Sequence, residues 1–183
     1  MKFLNLLVLS LCFCACATTT GIKESAQTPN KIIPVFMANG QHRTALKTTL
    51  EAKGKSYNFL LLATKKDGYT NFKLIGDFAA ILASLNLREN TFEYENVAEN
   101  FPPQTITALE EILFALFAPN NHENLKYKYY FKKGENLPYK LKQKGQTNKT
   151  FLFEDYDGNI PQKITVKTKF NVVKINFELL AHD

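Results

Sequence analysis

The sequence predicts a mainly β domain: one strongly curved antiparallel sheet forming an incomplete barrel, covered by a helical lid. Three observations predict it. About ten short segments alternate apolar and polar residues, separated by turns rich in Gly, Asp and Asn. A single long stretch, residues 101–121 (FPPQTITALEEILFALFAPNN), carries the period of an amphipathic helix. The connections are short, which makes neighbours in sequence neighbours in one sheet. With 183 residues, 45% of them hydrophobic and 13% aromatic, the chain can build one sizeable core, and disorder of the whole is excluded.

The chain opens MKFLNLLVLSLCFCACATTT, a lysine followed by an apolar run over residues 3–13 and small residues at Ala15 and Ala17. Such a run is too short to cross a bilayer and reads as an export signal. All three cysteines, Cys12, Cys14 and Cys16, stand at its end, so no disulfide is expected in the folded domain. Phe13-Cys14-Ala15-Cys16 resembles the lipobox of bacterial lipoproteins, cut before a cysteine that then carries acyl chains of the palmitate type. Leu9-Ser10-Leu11-Cys12 is the rival register, and a secreted protein with cysteines as apolar filler is the other reading. On the lipobox reading residues 1–15 are a signal peptide, Cys16 is lipidated, and residues 16–31, rich in Thr, Ser, Gly, Gln and Pro, are a flexible tether. Residues 32–183 form the single domain. Ala17 after Cys16 resembles the sorting pattern of lipoproteins released to the outer membrane, facing the periplasm.

Strands are predicted at residues 44–53, where Leu46, Thr48, Leu50 and Ala52 share a face, and at 55–64, where both faces are partly apolar. Lys65-Lys66-Asp67-Gly68 supplies a hairpin turn. Strands follow at 69–75, at 78–87 after a Gly76-Asp77 turn, and at 90–95. After the helix come 125–132, 139–144, 150–156, 160–168 and 172–180, the last with Val173, Ile175, Phe177 and Leu179 on one face.

Between the two sets of strands lies the helix. At 100° per residue, Ile106, Leu109, Ile112, Leu113, Leu116 and Phe117 form a stripe, with Gln104, Thr107 and Glu111 opposite and Phe114 at its edge. Pro103 and the capping-box spacing Thr107-x-x-Glu110 mark its start, and Pro119 its end. The stripe must be covered, and the open side of a curved sheet is the expected cover.

Candidates for covalent chemistry are few. His42, His122 and His182 stand apart, without a second ligand at metal spacing, and none of the four serines has a nucleophile-elbow context. Asp155-Tyr156-Asp157-Gly158-Asn159 offers oxygens to calcium but falls where a hairpin turn is expected. Glu110 and Glu111, adjacent on a helix, cannot flank one substrate atom. No enzyme activity, cofactor or metal is expected. Net charge is +6, and residues 126–149 carry eight lysines against one glutamate. Behind an export signal, nucleic acid is not the expected partner; solvated strand faces, anionic head groups or an acidic partner are.

Strand pairs, a Pro-introduced helix, then YKYYFKKG and FLFEDYDGNIPQKITVKTKFNVVKINFE together resemble the LolA/LolB superfamily of periplasmic lipoprotein carriers, most of all the LolB-like outer-membrane lipoproteins. The resemblance covers residues 44–181. It implies an incomplete barrel with a helical lid over an apolar cavity for acyl chains of lipoproteins or lipids, passed on without covalent chemistry. It also implies a periplasmic carrier protein as donor, membrane attachment through the N-terminal acyl anchor, and a monomer. Carried onto this chain, the cavity would be lined by Phe59, Leu61, Phe72, Leu74, Phe78, Ile106, Leu109, Leu113 and Phe117. The membrane-touching loop of that family corresponds to Leu74-Ile75-Gly76-Asp77-Phe78, a shorter turn, with Ile75 or Phe78 as the contact. The alternative expectation is a structural or assembly lipoprotein of the same fold, with a filled core and an envelope partner.

Overall fold

The computed structural model describes residues 31–37, 42–52, 54–99, 101, 103–118, 126–145, 148–168 and 173–182. The expected signal peptide, Cys16 and its rivals, nearly all of the tether, Pro119 and His122 lie outside them. The elements are β1 (Arg43–Ala52), β2 (Lys55–Lys66), β3 (Tyr69–Ile75), β4 (Ile81–Arg88), β5 (Thr91–Val97), α1 (Pro103–Phe117), β6 (Lys126–Phe131), β7 (Pro138–Lys144), β8 (Lys149–Asp157), β9 (Ile160–Thr168) and β10 (Val173–His182). All ten strands form one antiparallel sheet in the order β5-β4-β3-β2-β1-β10-β9-β8-β7-β6, which does not close into a barrel.

Two five-stranded meanders thus meet at the centre, where β1 and β10 pair from Thr44↔His182 to Ala52↔Val173. Every other pair of consecutive strands is also paired in the sheet. Only the step from β5 to β6 must travel from one edge of the sheet to the other, and α1 makes it. Fifteen helical residues span about 22 Å. The helix is therefore both crossover and cover.

Alternation decides the faces. Leu46, Leu50, Phe59, Leu61, Phe72, Leu74, Leu85, Phe151, Phe153, Ile164, Val166, Ile175 and Phe177 point inward and are buried with the helix in one cluster. On the outer side of β3–β5 the pattern is polar yet ordered. Asn71 Nδ2 donates to Asn86 Oδ1 (2.8 Å), Asn86 Nδ2 to Glu95 Oε1 (2.6 Å) and Ser84 Oγ to Glu95 Oε2 (2.8 Å). These two donors, from Asn86 first, hold the Glu95 carboxyl below its ordinary range.

Three expectations are corrected. Residues 78–80 are not strand: Asp77–Ala79 form a 3-10 turn in which Phe78 has φ 55°, and β4 starts at Ile81. Thr107 is no cap, because α1 begins at Pro103 and Thr107 stands in its second turn; Glu110 instead accepts a hydrogen bond from Tyr94 Oη. The helix is also not buried on one stripe only. All residues from Glu111 to Leu116 are buried, Phe114 included at 4% exposure, because β5 packs on one flank of the helix and β7–β8 on the other.

The segment 31–37 closes the end where α1 finishes. Ile32 N donates to Asn136 O (3.0 Å) beside the β6–β7 turn, and Phe36 N donates to Leu116 O (2.9 Å). Phe36 then stacks on Phe117, with ring centroids 5.5 Å apart.

Candidate functional site

The space between α1 and the sheet has two unlike halves. Toward β2–β5 it is apolar and aromatic: Phe72 meets Phe117 edge-on at 5.0 Å, and Phe92 meets Phe114 at 4.9 Å. Edge-to-face rings at these separations add directional attraction to the burial of their area. Toward β6–β8 it is polar. The register Tyr127↔Gln143 and Gln143↔Lys149 sets one residue from each strand in a row under the helix.

Glu111 faces that row. Lys149 Nζ forms a salt bridge with its carboxylate, and Gln143 Nε2 donates to its backbone oxygen at 3.0 Å. Burial holds the Lys149 ammonium below the ordinary lysine range, and the Glu111 carboxylate only partly compensates. The hydroxyls of Tyr127 and Tyr129 and Gln143 Oε1 are buried with no hydrogen-bond partner among the described residues. Burial pushes Tyr129 up to about 12, and raises Tyr127 as well, with Tyr129 and Glu111 adding to it. On the other flank Tyr94 donates to Glu110, and burial first and this bond second raise Tyr94 to about 12. Two adjacent carboxylates thus tie one helix to opposite walls, β5 and β8.

Of the residues predicted to line a cavity, Phe59, Leu61, Phe72, Leu74, Ile106, Leu109 and Leu113 are gathered in this interior, and Phe117 stands half-buried at its rim. Leu61, Phe72, Leu74 and Leu113 have 0% exposure, so helix and sheet are in direct contact there and the form described is closed. Phe78 is not among them. Its exposure is 103%, because the 3-10 turn lifts it off the end of β3, so its membership in a cavity lining is withdrawn. Ile75 is half-buried on the outer face, paired with Leu60, beside a groove of about 300 Å³ that Asp77 and Leu180 also line. Ile81 and Leu180 are exposed apolar residues as well.

Lys149, Glu111, Gln143 and Tyr127 escaped the sequence reading. A signal existed for Lys149: Lys149, Phe151 and Phe153 share a parity, which puts a lysine on the inward face of β8. Glu111 carried no such signal, being opposite the stripe on the helical wheel. Asp155, in the stretch weighed for calcium, forms a salt bridge with Lys163 at 2.6 Å, and Gly158-Asn159 makes the β8–β9 turn. Among the described residues no group of three or more metal-ligating side chains occurs, and no helix is long and apolar enough to cross a membrane.

Two solved structures resemble the chain. An outer membrane lipoprotein-sorting protein domain from Vibrio parahaemolyticus is 8% identical with a TM-score of 0.43, over 79% of this chain and 85% of that one. A DUF1329 family protein from Desulfovibrio piger is 9% identical with a TM-score of 0.42, over 80% and 86%. No protein-family model matches the chain, nor does any curated protein sequence.

Proposed function

We propose that this chain is an envelope lipoprotein, anchored through Cys16 in the outer membrane and facing the periplasm, that takes acyl chains of lipoproteins or lipids between α1 and the sheet. One observation carries the reading: an unclosed ten-stranded sheet presents an apolar inner face, and α1, tied to β5 on one side and to β7–β8 on the other, covers it. Binding requires the helix to yield its place.

Magnitudes support an exchange. Ile106, Leu109, Ile112, Leu113, Phe114 and Leu116 are the large apolar side chains that α1 buries, worth about 2 kcal/mol each, or about 12 kcal/mol together. An acyl chain of about 16 carbons gains a similar amount, at about 0.8 kcal/mol per methylene. A chain that replaces the helix contacts leaves the balance near zero, which is what reversible handover from a carrier protein needs. Phe78, fully exposed on a turn with positive φ, and Ile75 beside it would touch the membrane during that handover.

The closed packing of Leu61, Phe72, Leu74 and Leu113 favours the second reading, a lipoprotein of the same fold whose core is permanently filled. Native mass spectrometry of the protein taken from a membrane-containing lysate separates the two. Bound lipid or acylated peptide, lost in a Leu113→Glu variant that keeps its circular dichroism, supports acyl binding. Repeatedly ligand-free spectra, with a Leu113→Glu variant that only unfolds, would sink it.

A further inference from the structure

We propose that the outer face of β6 and β7 is an electrostatic docking surface for an anionic lipid bilayer. The register sets Lys126 opposite Lys144 and Lys128 opposite Lys142, and Lys140 opposite Tyr130. The ammonium groups of Lys128, Lys140 and Lys142 surround the Tyr130 ring at 5.4 to 5.5 Å from its centroid. Lys167, opposite Thr150 on the next strand pair, continues the face. None of these six lysines forms a salt bridge with a carboxylate of the described residues, whereas Lys47, Lys132, Lys163 and Lys174 each do; Lys174 on β10, opposite Lys167, lies where the unpaired face ends.

Like charges directly opposite each other weaken a sheet. Lysine on an edge strand has a use in blocking sheet-to-sheet aggregation, which accounts for Lys126 and Lys128 on β6. It does not account for Lys140, Lys142 and Lys144, because β7 is paired on both sides and is no edge. Each ammonium beside Tyr130 gains a cation–π contact, yet the like charges still repel across the two strands, and an anionic partner removes that repulsion.

The chemistry favours a bilayer over a folded acidic partner. The patch is all lysine, a compact point charge on a flexible stem, with no arginine fork to fix one carboxylate or phosphate. Tyr130 at its centre has the amphipathic ring that settles at head-group level. The antiparallel register also places Lys126, Lys144 and Lys167 at the same end of the sheet as the Phe78 turn, so one end of the molecule carries both the basic residues and the apolar tip. The inference extends the membrane contact proposed above to a second surface, and it stands on the lysines alone.

The test is cosedimentation of the full chain, with Cys12, Cys14 and Cys16 changed to Ser so that no acyl chain is added. Vesicles of phosphatidylcholine are compared with vesicles containing phosphatidylglycerol. Taking the ratio of the two affinities divides out any binding by the apolar N-terminal run. Each lysine near an anionic surface is worth about fivefold. The preference for phosphatidylglycerol is expected to drop roughly twenty-five-fold in Lys128→Gln/Lys142→Gln, to vanish in high salt, and to persist in Phe78→Ser and in Lys47→Gln on β1. Equal binding to both vesicles, a preference unchanged in Lys128→Gln/Lys142→Gln, or an equal loss in Lys47→Gln would overturn it. So would a preference for soluble polyglutamate with none for phosphatidylglycerol. A loss in Phe78→Ser with none in Lys128→Gln/Lys142→Gln would assign the binding to the apolar tip and overturn the basic face.

Discussion

Lys149 on β8 and Glu111 on α1 form a salt bridge inside the molecule, with side-chain exposures of 0% and 11%. Removing both charges from water costs several kcal/mol each, and their attraction offsets this only while both are present. The pair fixes the depth at which α1 sits more than it adds to stability. Lys149→Met, which strands the Glu111 carboxylate, is expected to lower unfolding free energy by about 3–5 kcal/mol. Lys149→Met combined with Glu111→Leu is expected to recover most of it. Urea unfolding of the two variants checks this; a single variant costing under about 1 kcal/mol would contradict the burial.

The pH dependence has a definite sign. Lys149 has its pKa lowered by folding, so between that value and the ordinary 10.5 the unfolded chain binds more protons than the folded one. Stability contributed at this site therefore rises with pH across that window, by at most about 1.4 kcal/mol per pH unit. Tyr129 acts in the opposite sense above its ordinary 10.0, since the folded chain keeps a proton until about 12 that the unfolded chain has lost. Urea midpoints measured in steps to alkaline pH should rise and then fall. The rise should be missing in Lys149→Met/Glu111→Leu, and the phenolate absorbance of Tyr129 should appear together with unfolding.

The orphaned hydroxyls invert a usual rule. Tyr→Phe normally costs a hydrogen bond, but the buried Tyr127 and Tyr129 hydroxyls have no partner among the described residues. Removing a buried, unsatisfied polar group is neutral or favourable. Tyr127→Phe and Tyr129→Phe are expected to leave stability unchanged or raise it by up to about 1 kcal/mol. A loss of more than about 1 kcal/mol in thermal or urea unfolding would reveal a partner for these hydroxyls.

Phe114 and Phe78 make a contrasting pair. Phe114 lies against the Phe92 ring and is buried, so Phe114→Ala is expected to cost about 3–5 kcal/mol. Phe78 touches solvent on all sides, and Phe78→Ala is expected to stay within about 0.5 kcal/mol of the parent. Urea titrations of both separate a core residue from a tip residue, and a costly Phe78→Ala would contradict its exposure.

Much of this molecule was determined by its sequence alone. Period-two alternation in segments such as TALKTTLEA and KINFELL, with Asp-Gly turns between them, specifies antiparallel strands and their inward residues, because successive side chains must point to opposite faces. The 3.6-residue period specifies the helix in the same way. These are local properties, and the ten strands, the single helix and the inward set of Leu61, Phe72, Leu74, Leu109 and Leu113 follow from them. Tertiary structure decided what lies between elements far apart in the chain. Only the pairing of β1 with β10 sets the two meanders side by side and leaves β5 and β6 as opposed edges. Only the approach of β5 on one flank of the helix and β7–β8 on the other buries Phe114 and Glu111, which a helical wheel leaves at the edge of the stripe and opposite it. Lys149 meets Glu111 across 38 residues of sequence, a contact that no local period can encode because it depends on how two separately determined faces are brought together.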